Sequence, residues 1–181
     1  MTLAHLIVIC GPMFAGKTTE LIRRMQAAAG DGRPVLALKP ARDTRYHNDF
    51  LATHTGVRFP ARAVDSDLGD AIRAAAPGSV VGIDEAHFFG DALVEPVTDA
   101  LARGVSLILA GVERDHRGRA FAPFPTLLCE ADKVVKLSAR CAVCGRPAIH
   151  SQRMIPGDEA IVVGGAEAYQ ARCRTCFRPG T

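Results

Sequence analysis

The sequence predicts an α/β protein: a mostly parallel sheet flanked by helices, with a small cysteine-bearing module at its C-terminal end. Three observations carry this. Short apolar runs at Leu6 to Cys10, Val35 to Leu38, Val80 to Ile83 and Val105 to Ala110 suit strands covered on both faces. Stretches with helical spacing alternate with them, which favours parallel pairing through crossover helices. From about Lys136 that alternation stops, and two Cys-x-x-Cys pairs bracket the remainder. The chain divides accordingly into a core at 1–135 and an appended module at 136–181.

The elements follow in order. Leu6 to Cys10 is a buried strand that runs into a glycine-rich turn. Thr18 to Ala28 is a helix, because Leu21, Ile22 and Met25 fall on one stripe, and Gly30 and Gly32 end it. Val35 to Leu38 is a second strand that Lys39-Pro40 stops, and Arg42 to Asn48, polar and without period, is a loop. Asp67 to Ala76 is an amphipathic helix closed by Pro77-Gly78, and Val80 to Ile83 is a strand ending at two adjacent acids. Leu93 to Arg103 is a helix with Pro96 near its first turn, and Val105 to Ala110 is a strand after which Gly111 opens a charged loop. The terminal module holds only short apolar runs, such as Ala160 to Val163.

Composition bounds the function classes. At 181 residues, 48% hydrophobic and 23% charged, the chain can bury one sizeable core. Lysine and arginine total 22 against 19 acids, a net charge of +3 that permits a polyanion such as a nucleotide without demanding DNA or RNA. No apolar run approaches the roughly 20 residues of a membrane helix. The start, Met-Thr-Leu-Ala-His, lacks the basic region and cleavage pattern of an export signal, so a cytoplasmic location is expected. Four of the six cysteines form the two pairs, better read as metal ligands than as disulfides; Cys10 and Cys129 read as small core residues.

Chemistry concentrates first at Gly11-Pro12-Met13-Phe14-Ala15-Gly16-Lys17-Thr18, the Walker A pattern of a RecA-like P-loop NTPase, placed between a strand and a helix. Backbone amides there can cradle a triphosphate such as ATP, Lys17 neutralises the terminal phosphates, Thr18 ligates Mg2+, and Thr19 continues the cradle into the helix. Asp84 stands where a magnesium-holding acid is expected, and Glu85 beside it could take a proton from an attacking hydroxyl. On these two motifs alone a hydrolase is as plausible as a kinase. Cys141, Cys144, Cys173 and Cys176 supply four thiolates, with 28 residues between the pairs, which favours tetrahedral zinc in a structural role over redox chemistry. Gly145 eases the knuckle turn, and Arg172, Arg174 and Arg178 are placed to moderate the thiolate charge. His54, His116 and His150 share no ligand spacing and read as surface or hydrogen-bonding residues. Phe88 and Phe89 suit core packing and the wall of a base pocket equally well.

Together these motifs resemble the cytosolic type II thymidine kinases, whose phosphate-loop core carries a zinc-bearing lasso. The resemblance covers Gly-Pro-Met-Phe-Ala-Gly-Lys-Thr-Thr-Glu-Leu at 11–21, Lys-Pro-Ala-Arg-Asp-Thr-Arg-Tyr at 39–46 and Ile-Asp-Glu-Ala-His-Phe-Phe at 83–89. It continues through Val-Val-Lys-Leu at 134–137, Val-Gly-Gly-Ala-Glu-Ala-Tyr at 163–169 and both cysteine pairs.

The resemblance implies transfer of the ATP γ-phosphate to the 5′-hydroxyl of thymidine and also of deoxyuridine, with Glu85 as general base and Arg45 beside the phosphates. It implies that Asp43 helps position the Arg45 loop and that Met13 and Phe88 wall the nucleoside pocket. Ser151 and Tyr169 would contact base or sugar, and backbone groups of Ile161, Val162, Val163 and Gly164 would read the edge of thymine. A homotetramer and feedback binding of dTTP are further implications, with no nucleic-acid or membrane partner. Two departures stand out. His87 occupies a position commonly glutamine, and Val112-Glu113-Arg114-Asp115 varies the usual Leu-Asp. The rival reading is a P-loop ATPase or GTPase whose zinc module binds a protein or nucleic acid.

Overall fold

The structure, a computed structural model, describes residues 3–43, 49–53, 56–157, 159 and 161–179. A six-stranded sheet forms its centre. Its strands are β1 (Leu6–Cys10), β2 (Val35–Pro40), β5 (Arg62–Val64), β6 (Val80–Ile83), β7 (Ser106–Gly111) and β8 (Lys133–Lys136). They lie in the order β5-β2-β6-β7-β1-β8, and every neighbouring pair runs parallel. Between β2 and β5 a short antiparallel hairpin, β3 (Phe50–Ala52) with β4 (Arg58–Pro60), stands apart from this sheet.

Alternation along the strands feeds two cores. Leu6, Val8 and Cys10 of β1, with Leu107 and Leu109 of β7, face one cluster. There they meet α2 (Leu68–Arg73), α3 (Val94–Ala102) and α4 (Phe124–Glu130) through Ile72, Val97 and Phe124. Ile9, Ile108 and Ala110 face the opposite cluster, under Leu21, Ile22 and Met25 of α1 (Lys17–Gly30). Residues of both parities are therefore apolar, which is why these strands read as continuous runs. Each fully buried Leu or Ile contributes on the order of 2 kcal/mol by leaving water.

The structure alters several expectations. β2 runs on to Pro40 because β5 pairs with Lys39 and Pro40 beyond the reach of β6, at the strand end, where a missing N–H costs little. α2 ends at Arg73, short of Ala76; the Arg103 guanidinium takes up the carbonyls of Ile72, Arg73 and Ala75 at 3.2 Å, satisfying groups a longer helix would have used. The 3₁₀ segment Ala86–Leu93 precedes α3, and α4 lies in a stretch that showed no helical signal.

Beyond β8 the chain forms two antiparallel pairs: β9 (Ala139–Arg140) with β10 (Pro147–Ala148), and β11 (His150–Arg153) with β12 (Tyr169–Arg172). Their shared core is small, consisting of Ala139, Cys141, Ala148, Ala171 and Cys173, with Ala15 of the glycine-rich turn packed against it.

Candidate active site

The chemistry-bearing residues gather at the C-terminal ends of β1, β6 and β7, where parallel sheets open their ligand crevice. β7 lies between the strand that leads into the glycine-rich turn and the strand that leads into Asp84. Gly11 has φ +149°, and a Cβ there would sit 2.5 Å from the Leu137 carbonyl oxygen, so only glycine lets the turn pass so close to the chain leaving β8. No side chain caps the start of α1. Its N-cap is Gly16, at φ +82°, and a helix N-terminus of this kind suits an anion. Lys17, 8% exposed, donates its Nζ to the Pro12 carbonyl at 2.7 Å, lying folded along the turn it would serve.

The Thr18 hydroxyl donates to Asp84 Oδ2 at 2.8 Å, and Asp84 Oδ1 accepts the Glu85 N–H at 3.0 Å. Burial, with the Glu85 charge beside it, pushes the Asp84 carboxyl up to about 7. A hydroxyl and a carboxylate held together in this way form a hard oxygen pair that fits Mg2+, whose charge would offset the one that burial opposes.

Two cavities meet here. The first is lined by Phe14, Gly16, Lys17, Thr18, Thr19, Lys39, Asp43, Phe50, Leu51, Ala52, Thr53 and Asp84. The second is lined by His87, Phe88, Val112, Arg114, Asp115, His116, Phe121, Ser151, Ile161, Val162, Val163, Gly164 and Tyr169. Met13 and Glu85 line both. Of the expected nucleoside-side residues, all but Asp43 border the second cavity; Asp43 borders the first. Arg45 and His54 lie outside the described residues.

The second cavity is polar at its edges and aromatic in its wall. Phe88 is buried, with the Arg42 guanidinium over its ring at 5.4 Å, while Phe89 packs against the main core. Ser151 accepts the Met13 N–H at 3.0 Å, tying β11 directly to the glycine-rich turn. The Tyr169 hydroxyl donates to the Val162 carbonyl at 3.0 Å, and Arg153 reaches both that hydroxyl at 3.3 Å and the Gly157 carbonyl at 3.2 Å. These bonds pin the chain between β11 and β12 at several points.

Sequence reasoning missed Phe121 and read His116 as a surface or hydrogen-bonding residue, without placing it at a cavity. Both lie on the segment leaving the C-terminal end of β7, and that position in a parallel sheet was the available signal. His116 is buried, and that burial holds its imidazole below the usual range. Asp115 shapes the segment by accepting the Arg117 and Arg119 N–H groups at 2.9 Å, and the buried Glu113 pairs with Lys136 at 3.2 Å. His150 stacks on Phe177 at 4.2 Å.

The thiol groups of Cys141, Cys144, Cys173 and Cys176 all lie within 4.8 Å of one another. Four soft donors at this separation fit a tetrahedral zinc site. Gly145, at φ +73°, donates its N–H to the Cys141 carbonyl at 2.9 Å, the tight knuckle expected of it. Arg146, which the sequence reading did not single out, supplies charge beside the cluster. Its Nε donates to Cys144 Sγ at 3.4 Å and holds that thiol below the usual range. Arg172 instead bonds Gln170, and Arg178 the carbonyls of Thr175 and Phe177. Burial pushes the Cys10 thiol up to about 11, as befits a core residue, whereas Cys129 is exposed and not part of the core.

Comparison with known proteins gives a consistent result. A family model described as thymidine kinase matches residues 4–177. A thymidine kinase of Deinococcus deserti is 44% identical, the alignment covering 94% of this chain and 92% of that one. One of Rhodothermus sp. is 41% identical over 95% of this chain and 80% of its own, and one of Pyrobaculum aerophilum 43% over 93% and 96%. Among solved structures, the genome packaging NTPase B204 of Sulfolobus turreted icosahedral virus 2, in complex with sulfate, aligns with a TM-score of 0.52 at 17% identity, covering 77% of this chain and 76% of that one. That likeness is one of fold.

Proposed function

The chain belongs to the thymidine kinase family, and from that premise we propose that it transfers the γ-phosphate of ATP to the 5′-hydroxyl of thymidine, and of deoxyuridine. The observation that carries this reading is the junction at Glu85, which borders both the cavity around Lys17 and Thr18 and the cavity walled by Phe88 and Phe121. A hydrolase needs room for a water beside the phosphates, not a second aromatic cavity meeting them at a carboxylate.

In this reading ATP lies along Gly11 to Thr19, with Lys17 against its terminal phosphates and the first-turn N–H groups of α1 stabilising the charge of transfer. Thr18 and Asp84 would hold Mg2+, which supplies charge neutralisation at the phosphates. Glu85 accepts the proton of the 5′-hydroxyl as its oxygen bonds the γ-phosphorus. The bond from that phosphorus to the bridging oxygen breaks, and ADP leaves with the electron pair. By the resemblance to the family, Arg45 would add its guanidinium charge to the stabilisation of the phosphates. Phe88 and Met13 flank the base, Asp43 supports the Arg45 loop, and Ser151, Tyr169 and the backbone of Ile161 to Gly164 read the nucleoside. Closure of that stretch excludes water that would compete for the phosphate.

The same reading places the division between core and zinc module at 135/136, assembles the chain as a cytoplasmic homotetramer, and makes dTTP a feedback ligand. Replacing Glu85 tests it: Glu85→Gln is expected to lower thymidine phosphorylation about 100-fold or more while ATP affinity changes less than about threefold. Near-normal turnover would reject Glu85 as the base.

A further inference from the structure

We propose that His87 is a positioning residue for the phosphoryl-transfer base, its Nδ1–H group orienting the Glu85 carboxylate between the two cavities. This rests on the reading of Glu85 as that base. His87 Nδ1 lies 3.6 Å from Glu85 Oε2, and the two side chains are only 8% and 14% exposed. That separation exceeds a hydrogen bond, but bonds within a catalytic set are commonly long without substrate and tighten when it binds.

The imidazole is held in place by its surroundings. It lies against Phe88 at 4.5 Å and Phe121 at 5.6 Å between ring centroids. At the end of β7, a Cβ on Gly111 would stand 3.1 Å from His87 Nδ1, so the strand carries no side chain where the ring sits. The setting of Glu85 gives such a contact a purpose. Its backbone, at φ +48°, leaves β6 in a left-handed turn, and its carboxylate stands beside that of Asp84, which repels it. A donor fixed on the far side counters that repulsion and selects one orientation.

A glutamine in its place would offer an N–H of similar reach. Imidazole differs in that it can take a second proton. Protonated, it would pair with the carboxylate as a cation and make it a weaker base, so this chain is expected to lose activity more steeply on acidification. The charged and titratable groups around the ring are Glu85 on its own segment, Arg42 across Phe88, Arg114, Asp115 and His116 after β7, and Tyr169 on β12.

The test measures kcat and KM for thymidine at saturating magnesium-ATP, from about pH 5.5 to about pH 9, for the wild type, His87→Gln, His87→Ala and Glu85→Gln. His87→Ala is expected to lose about tenfold or more in kcat with KM changed less than about threefold, and His87→Gln to recover most of that loss. The acid limb of kcat should become shallower in His87→Gln, because one titrating group is gone. A wild-type kcat in His87→Ala, or an acid limb in His87→Gln that overlays the wild type, would overturn the proposal with the base reading intact. Should His87→Ala fail to fold, the acid limb of His87→Gln decides alone. Turnover retained in Glu85→Gln would overturn the base reading, and this proposal with it.

Discussion

Glu85 sits at φ +48°, a region that costs a side-chain-bearing residue about 1 kcal/mol and that glycine enters freely. It also keeps a carboxylate next to a buried one. Both features oppose folding, so Glu85→Gly is expected to raise the melting temperature while, with Glu85 as the proposed base, abolishing phosphoryl transfer; a lower melting temperature in calorimetry would contradict this. At this scale the sequence was partly legible. Lys17, Thr18, Asp84 and Glu85 could be read because each sits within a short motif, and the structure brings all four to the lining of one cavity. The Ser151 to Met13 bond spans 138 positions, and Phe121 reaches its cavity only through the path taken after β7; no local pattern announces either. Arg146 was overlooked beside Cys144 because its place depends on how the knuckle turns.

Among the elements, α1 starts at the proposed phosphate site, and its outer face is braced by one acid. Glu20 receives Arg23 and Arg24, each at 2.7 Å, and the Arg23 hydrogen bond foremost lowers its carboxyl to about 2. Because the folded value lies below the unfolded one of about 4.3, the stabilisation is present above that pH and is lost as pH falls from about 5 towards 2. Glu20→Gln should therefore lower stability at neutral pH by about 0.5 kcal/mol, a modest sum because the pair faces solvent, and the gap should close on acidification. Urea titrations at several pH values check the sign; a gap that widens in acid would contradict it. The strands β1, β6 and β7 were readable because both faces are buried. β3, β4 and β5 hold only three residues each, too few for any period to show, and the seven residues of α4 start at a proline-flanked turn.

The whole molecule joins a well-packed sheet to a C-terminal part whose own core holds five small residues, two of them cysteines. A metal ion held by those two with Cys144 and Cys176 would add order to so small a cluster. Cys173→Ser is expected to release the zinc and raise KM for thymidine about tenfold or more, while ATP binding at the sheet stays near normal; unchanged metal content would refute the four-thiolate site. Among the described residues no helix is long and apolar enough to cross a membrane. Product analysis tests whether one carboxylate, Glu85, joins a phosphate cavity to a nucleoside cavity. Zinc-loaded protein is incubated with magnesium-ATP and thymidine, and every nucleotide formed is quantified. Thymidine monophosphate and ADP in equal amounts is the predicted result; inorganic phosphate released without any nucleoside monophosphate would contradict it.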